Sequence, residues 1–106
     1  MIDDKAILHY TTSIEMVLKE LRDEKDVSQS KVNIEFEQKY GFSINLGRME
    51  SNPNFGMIKL LYICDYFNIS VFDFFKKVAS IKEDKIIKFL KEKELKKQNR
   101  KKSKKP

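Results

Sequence analysis

The sequence predicts an all-α protein, in which five short helices surround one core and an amphipathic helix and a basic tail follow. The 106 residues include only three Gly and two Pro, which is typical of helices joined by short turns. Apolar residues also recur three and four positions apart, the spacing of one buried helix face. At this length we expect a single domain with one modest core.

The first helix is predicted over residues 12–25, after an N-terminal arm of residues 1–11 that lacks a clear periodicity. Thr12 and Glu15 have the spacing of a capping box, in which each side chain accepts from a free backbone N–H group at a helix start. One face of this helix carries apolar residues at the i, i+3, i+4, i+7 spacing: Ile14, Val17, Leu18 and Leu21.

The second helix is predicted from Ser28 to about Tyr40. Ser28 is a suitable N-cap residue, and Gly41 can adopt the left-handed conformation that ends a helix. Val32, Phe36 and Tyr40 lie four apart and would form the core face. Ile34 does not fit that face, which indicates a break in the helix or an irregular segment after it.

A third, short helix is predicted from Ser43, as its N-cap, to about Glu50. Leu46 and Met49 are three apart and share one face, whereas the polar residues of the segment point elsewhere. An amide, a guanidinium and a small residue on the polar side suit a groove of DNA. A polar helical hairpin without DNA contacts would have the same pattern.

Two further helices complete the predicted domain of residues 12–80. The fourth, over residues 56–67, is apolar nearly all round, which predicts packing by neighbours on several sides. Asn68 is its left-handed stop, and Ser70 is the N-cap of the fifth helix over residues 71–79. We expect the core to include Leu18, Leu21, Val32, Leu46, Met49, Leu61, Ile63 and Phe74.

The positive charge is concentrated at the C-terminal end. Residues 1–80 contain ten Lys or Arg and twelve Asp or Glu, a net of −2, whereas residues 81–106 contain twelve and four, a net of +8. Residues 81–95 are predicted to form an amphipathic helix. Residues 96–106 carry seven positive charges and no apolar side chain, which predicts a disordered tail.

The chain has no constellation of residues typical of an enzyme. Cys64 is the single cysteine and lies in an apolar run, so we expect a buried thiol and no internal disulfide. His9 is the single histidine and has no cysteine or acidic cluster around it, so we expect no metal site. Paired catalytic carboxylates and a glycine-rich phosphate loop are also absent. We therefore expect no cofactor, no small-molecule substrate and no membrane span, and a cytoplasmic location.

Three stretches in order, LKELRDEKDVSQ, LGRMES and LLYICDYFNISVFDFF, resemble the Cro and lambda-repressor type of helix-turn-helix regulators, the XRE family. The resemblance covers about residues 14–77. Its matching elements are Arg22, Ser28-Gln29, Met49-Glu50 and Ile69-Ser70. The interval from Gln29 to Glu50 is three residues longer than is usual for the family, which indicates an enlarged turn. Asn33 occupies the place of the usual small residue in helix two.

The resemblance implies a five-helix lambda-repressor-like fold, in which helix three lies in the major groove of DNA. The positions that correspond to base-contacting residues are Ser43, Ile44, Asn45 and Arg48. By residue type, Arg48 would bind guanine, Asn45 adenine, and Ile44 a thymine methyl group. Phosphate contacts are implied for Gln29, Ser30, Lys31, Ser51, Asn52 and Asn54. Arg22 and Glu50 correspond to a structural ion pair between helices one and three.

The function implied is sequence-specific binding of double-stranded DNA by a homodimeric transcriptional regulator, a repressor of the phage or mobile-element type. The basic tail would add affinity through the phosphate backbone. The alternative is a protein-interaction module, such as an antitoxin or adaptor with the same fold. The surface charge around helix three distinguishes the two, because a net negative domain can bind DNA only if its positive residues cluster on one side.

Overall fold

The structure of the protein is a computed structural model that describes the backbone of residues 2–103 and the side chains of residues 2–99. Within these limits the chain contains six helices and no strand: α1 (Asp4–Lys25), α2 (Gln29–Tyr40), α3 (Leu46–Ser51), α4 (Met57–Tyr66), α5 (Val71–Ser80) and α6 (Glu83–Ser103). The predicted all-α class is confirmed. Helix α1 packs against α3, α5 and α6, and α2 packs against α3.

Helix α1 begins eight residues before the predicted start, so the proposed capping box is wrong. Asp3 is the N-cap, and its carboxylate accepts a hydrogen bond from the Ala6 backbone N–H group at 2.8 Å. Thr12 and Glu15 are buried in the middle of the helix. Hydroxyl side chains are tolerated there because they can donate to carbonyl groups one turn earlier, as Ser13 does to His9 at 2.9 Å.

Helix α2 has the predicted bounds. Ser28 is its N-cap and accepts from the Lys31 backbone N–H group at 3.1 Å, and Gly41 ends it with φ of 80°. Val32 and Phe36 are buried. The helix is continuous through Ile34, whose side chain is exposed. Of the two alternatives, a break at this residue is therefore wrong, and an irregular segment does follow the helix, over residues 41–45.

The core contains seven of the eight residues predicted to be buried. The exception is Leu61 on α4, which is 45% exposed. Helix α4 buries one face and leaves the opposite face exposed, so the predicted packing on several sides is wrong. It packs against α5, and the buried residues of α4 are Leu60, Ile63, Cys64 and Tyr66.

Helix α6 continues well past the predicted end at residue 95. The backbone is helical to Ser103, so the prediction of a disordered tail is wrong for residues 96–103, and residues 104–106 lie outside the described part. Ile86 is buried, and Lys93 Nζ lies 2.9 Å from Glu15 Oε1 on α1. These contacts stabilise the first turns of α6. Extension of the helix through lysine, glutamine and arginine residues then costs little free energy, because nucleation is the unfavourable step of helix formation.

Candidate nucleic-acid interface

The chain between α2 and α3 folds inward at Ile44. This side chain is only 8% exposed and belongs to the core. Most of the Ile44 side chain is therefore unavailable to a base edge, and its predicted contact with a thymine methyl group stays a prediction. In the loop between α2 and α3, Phe42 packs edge-to-face on Phe36 with ring centroids 5.2 Å apart. Ile44 and Phe42 of this loop thus pack on the core.

Two asparagines, not Ser43, hold the start of α3. Asn45 is the N-cap, and its Oδ1 accepts from the Arg48 backbone N–H group at 3.1 Å. Asn33 Oδ1 accepts from the Leu46 backbone N–H group at 2.9 Å. Asn33 thereby connects α2 directly to α3, a role that the sequence did not reveal. The only signal was an amide at a position where the family resemblance implies a small residue.

The capping role limits what Asn45 can do at a DNA surface. A bidentate contact with adenine requires both the oxygen and the amide group of the side chain. While Oδ1 caps α3, one of its two lone pairs is occupied and both amide N–H groups are free to donate. The predicted pairing of Asn45 with adenine would therefore require Oδ1 to accept a second hydrogen bond beside the capping bond, and it stays a prediction.

Arg22 and Glu50 form a bidentate ion pair between α1 and α3. Arg22 Nε lies 2.6 Å from Glu50 Oε2, and Nη2 lies 3.0 Å from Oε1. Glu50 is 1% exposed. The hydrogen bond to Glu50 raises the pKa of the Arg22 guanidinium above its ordinary value, and burial partly opposes it. Fork-to-fork geometry of this kind fixes orientation as well as charge.

Gln29 is the third member of this network. Its Nε2 donates to Glu50 Oε1 at 2.9 Å, and its side chain is half-buried. One amide N–H group of Gln29 is therefore engaged by a buried carboxylate, which leaves the second for the predicted phosphate contact; that contact stays a prediction. A Cβ atom on Gly47 would lie 3.0 Å from Gln29 Oε1. Because glycine has no Cβ atom, α2 and α3 can lie close together at this position.

A groove of about 540 Å³ lies between α3 and the start of α4. It brings together six of the predicted site residues, of which Ile44 is the apolar one, and one residue that was missed, Lys59. The polar lining consists of Ser43, Asn45, Arg48, Asn52, Asn54 and Lys59. All six of these side chains are exposed. No carboxylate is among the lining residues. Lys59 was missed because only the fold of residues 52–56 places the first turn of α4 beside α3.

The other predicted contact residues lie outside this groove. Ser30 and Lys31 are exposed on the first turn of α2, and Ser51 is exposed at the end of α3. The Ser51 hydroxyl donates to the Arg48 carbonyl at 3.3 Å. Arg48, Lys31 and Lys59 form no salt bridge with any residue whose side chain is described. Their charges are therefore available to an anionic partner.

The groove offers hydrogen-bond donors and positive charge, and it contains no nucleophile or metal-binding cluster. Cys64 is buried elsewhere, and burial raises the pKa of its thiol. Across the described side chains, no three His, Cys, Asp or Glu residues are grouped so that they could hold a metal ion. The described helices also include none with the length and apolar character needed to cross a membrane.

Comparison with protein-family models, curated proteins and solved structures gives no match. The resemblance to the XRE family therefore rests on its motif residues alone.

Proposed function

We propose that this chain is a sequence-specific DNA-binding regulator of the Cro and lambda-repressor type. In this proposal α2 and α3 are the helix-turn-helix, α3 enters the major groove, and the protein acts in the cytoplasm as a homodimeric repressor. The observation that carries the proposal is the groove beside α3, which is lined by amide, hydroxyl, guanidinium and ammonium groups and by no carboxylate.

The absence of acidic side chains from the groove lining is significant because residues 1–80 are net negative. A surface that binds DNA must collect positive charge locally whatever the net charge of the domain. Arg48 and Lys59 meet that condition, and the nearby carboxylate of Glu50 is buried and paired with Arg22. The local charge beside α3 therefore supports an anionic partner, and DNA is the anionic partner that we propose.

The roles within the site follow from exposure and from the number of free donors. Arg48 is the residue suited to sequence reading, because an exposed guanidinium can donate two hydrogen bonds to guanine. Ser43 and the Asn45 amide group are available for single donated bonds. Phosphate contacts are assigned to Lys59 and to the predicted set of exposed residues: Ser30, Lys31, Ser51, Asn52 and Asn54.

The direct test is selection of DNA from a random-sequence pool by the full chain, followed by mobility-shift titration of the enriched sequence. We expect one sequence family to be enriched, with half-sites related by two-fold symmetry as a homodimer requires. A scrambled duplex of the same length and base composition is the control. Selection that enriches no sequence would contradict the proposal.

The alternative is the protein-interaction module, and the exposed basic residues of α6 favour it. Lys96 and Lys97 are exposed on the C-terminal half of α6. Such a helix could hold an acidic protein partner instead of DNA phosphates. If the selection experiment enriches no sequence, this alternative becomes the better account.

The basic end of the chain gives a separate prediction. Removal of residues 96–106 deletes seven positive charges and should flatten the dependence of log affinity on log salt, by about 0.9 for each phosphate that the shortened chain no longer neutralises. The preference for the selected sequence over scrambled DNA should not change. A full-length chain with these seven basic residues replaced by glutamine is the control for chain length. An unchanged salt slope would show that the tail does not bind DNA.

A further inference from the structure

Helix α2 contacts both ends of α3 through two amide side chains on one face. Gln29 and Asn33 are four residues apart, so they lie about 6 Å apart along α2. Gln29 Nε2 donates to Glu50 Oε1 at 2.9 Å, in the last turn of α3. Asn33 Oδ1 accepts from the Leu46 backbone N–H group at 2.9 Å, at the first residue of α3. We refer to these two hydrogen bonds as the amide clamp.

The spacing of the two helices matches across the amide clamp. Leu46 and Glu50 are four residues apart on α3, as Gln29 and Asn33 are on α2. The later residue of α2 bonds to the earlier residue of α3, and the earlier residue of α2 bonds to the later one. The two bonds therefore fix the angle between α2 and α3, because two separate points of attachment prevent the rotation that a single point allows.

The position of α3 depends on such contacts because the helix is very short. It has six residues, and a helix of this length is not stable in isolation. Leu46 and Met49 hold it to the core, but the hydrophobic effect is non-directional and does not set the angle of the helix. The Leu46 N–H group has no acceptor within α3, as is general for the first residues of a helix. Asn33 supplies that acceptor from α2.

We propose that Asn33 is a positioning residue, which sets the orientation of α3 on α2 and thereby the direction in which Arg48 projects. This role does not require DNA. Its effect on sequence preference rests on the proposed function, in which the exposed Arg48 side chain reads bases. Asn33 occupies the place where the family resemblance implies a small residue, so the amide clamp is a feature of this chain.

The first measurement is made on the full chain without DNA. Residual dipolar couplings of the backbone amides report the orientation of α3 relative to α2, and we expect them to change in Asn33→Ala. The Leu46 N–H group should exchange with solvent about tenfold faster in this variant, because its acceptor is removed. Asn33→Asp should match the parent in both measurements, since a carboxylate oxygen also accepts from a backbone N–H group.

Two further variants serve as controls. Gln38→Ala removes an exposed amide side chain from the same helix and should leave the couplings of α3 unchanged. Asn33→Leu keeps a side chain of similar shape without the acceptor, and it should behave as Asn33→Ala does. Alanine has a higher helix propensity than asparagine, so α2 should form in Asn33→Ala. Circular dichroism and thermal melting check the folding of each variant, and Asn33→Leu replaces Asn33→Ala if that variant does not fold.

The second measurement compares affinities for the selected DNA sequence and for the scrambled duplex. Asn33→Ala should reduce the ratio of the two affinities by about fivefold, the lower end of what one bidentate base contact contributes. Its affinity for scrambled DNA should not change, because no charge is lost. Asn33→Asp should keep the affinity ratio of the parent, although its negative charge weakens binding to both duplexes.

The couplings decide the positioning role, and the affinity ratio decides its effect on sequence preference. Unchanged couplings of α3 in Asn33→Ala and Asn33→Leu would overturn the proposal. Failure of Asn33→Asp to restore the couplings would assign the effect to packing and overturn it as well. Changed couplings with an unchanged affinity ratio would overturn the effect on sequence preference and leave the proposed function standing. If the full chain selects no sequence, the proposed function fails, and the couplings still decide whether Asn33 positions α3.

Discussion

Replacing Arg22 by alanine is expected to lower the free energy of unfolding by about 3–5 kcal/mol, the cost of leaving one member of a buried ion pair without its partner. Glu50 is 1% exposed and receives two of its hydrogen bonds from Arg22. In Arg22→Ala only Gln29 would remain as a donor to this carboxylate. Small domains unfold with about 5–15 kcal/mol in total, so the loss should be obvious in urea denaturation.

Two control variants separate this effect from a general loss of charge. Lys77→Ala breaks the exposed contact between Lys77 Nζ and Glu20 Oε1 at 3.2 Å, and surface pairs of this kind contribute about 0–1 kcal/mol. Arg22→Met combined with Glu50→Leu removes both charges and should recover much of the stability lost in Arg22→Ala. Equal stability of Arg22→Ala and Lys77→Ala would mean that the Arg22–Glu50 pair is solvated.

Replacing Arg48 by alanine is expected to weaken binding to the selected DNA sequence by about 1–3 kcal/mol, the discrimination given by one good bidentate base contact. Binding to scrambled DNA should fall only slightly, because one positive charge is lost. The mobility shift of the two duplexes at one salt concentration measures both effects. Arg48 is exposed and its guanidinium is not needed to cap α3, so the variant should remain folded.

Lys76→Ala is the matched control for Arg48→Ala. It removes the same charge from an exposed position on α5, where Lys76 lies near Asp73 and not in the groove beside α3. We expect its sequence preference to equal that of the parent. If Arg48→Ala and Lys76→Ala lose affinity equally on both duplexes, Arg48 contributes charge alone and is not the reader.

The sequence alone was sufficient where local chemistry decides the structure. Ser28 and Gly41 mark the ends of α2 correctly, because capping and left-handed conformations depend on neighbouring backbone groups only. Ser70 likewise caps α5 through the Asp73 backbone N–H group. The ion pair between Arg22 and Glu50 is present as the family resemblance implies, although these residues are 28 positions apart.

The tertiary structure decided which way each residue of the candidate site faces. Ile44, expected at a base edge, is in the core because the loop between α2 and α3 folds inward. The amide of Gln29 binds buried Glu50, since a buried carboxylate requires several donors. Helical periodicity also could not show that one apolar face of α4 is exposed, because packing depends on which elements meet in space. Lys59 and Arg48 line one groove for the same reason. The loop between α3 and α4 and the core beneath it bring these two residues together, and no local sequence pattern indicates this.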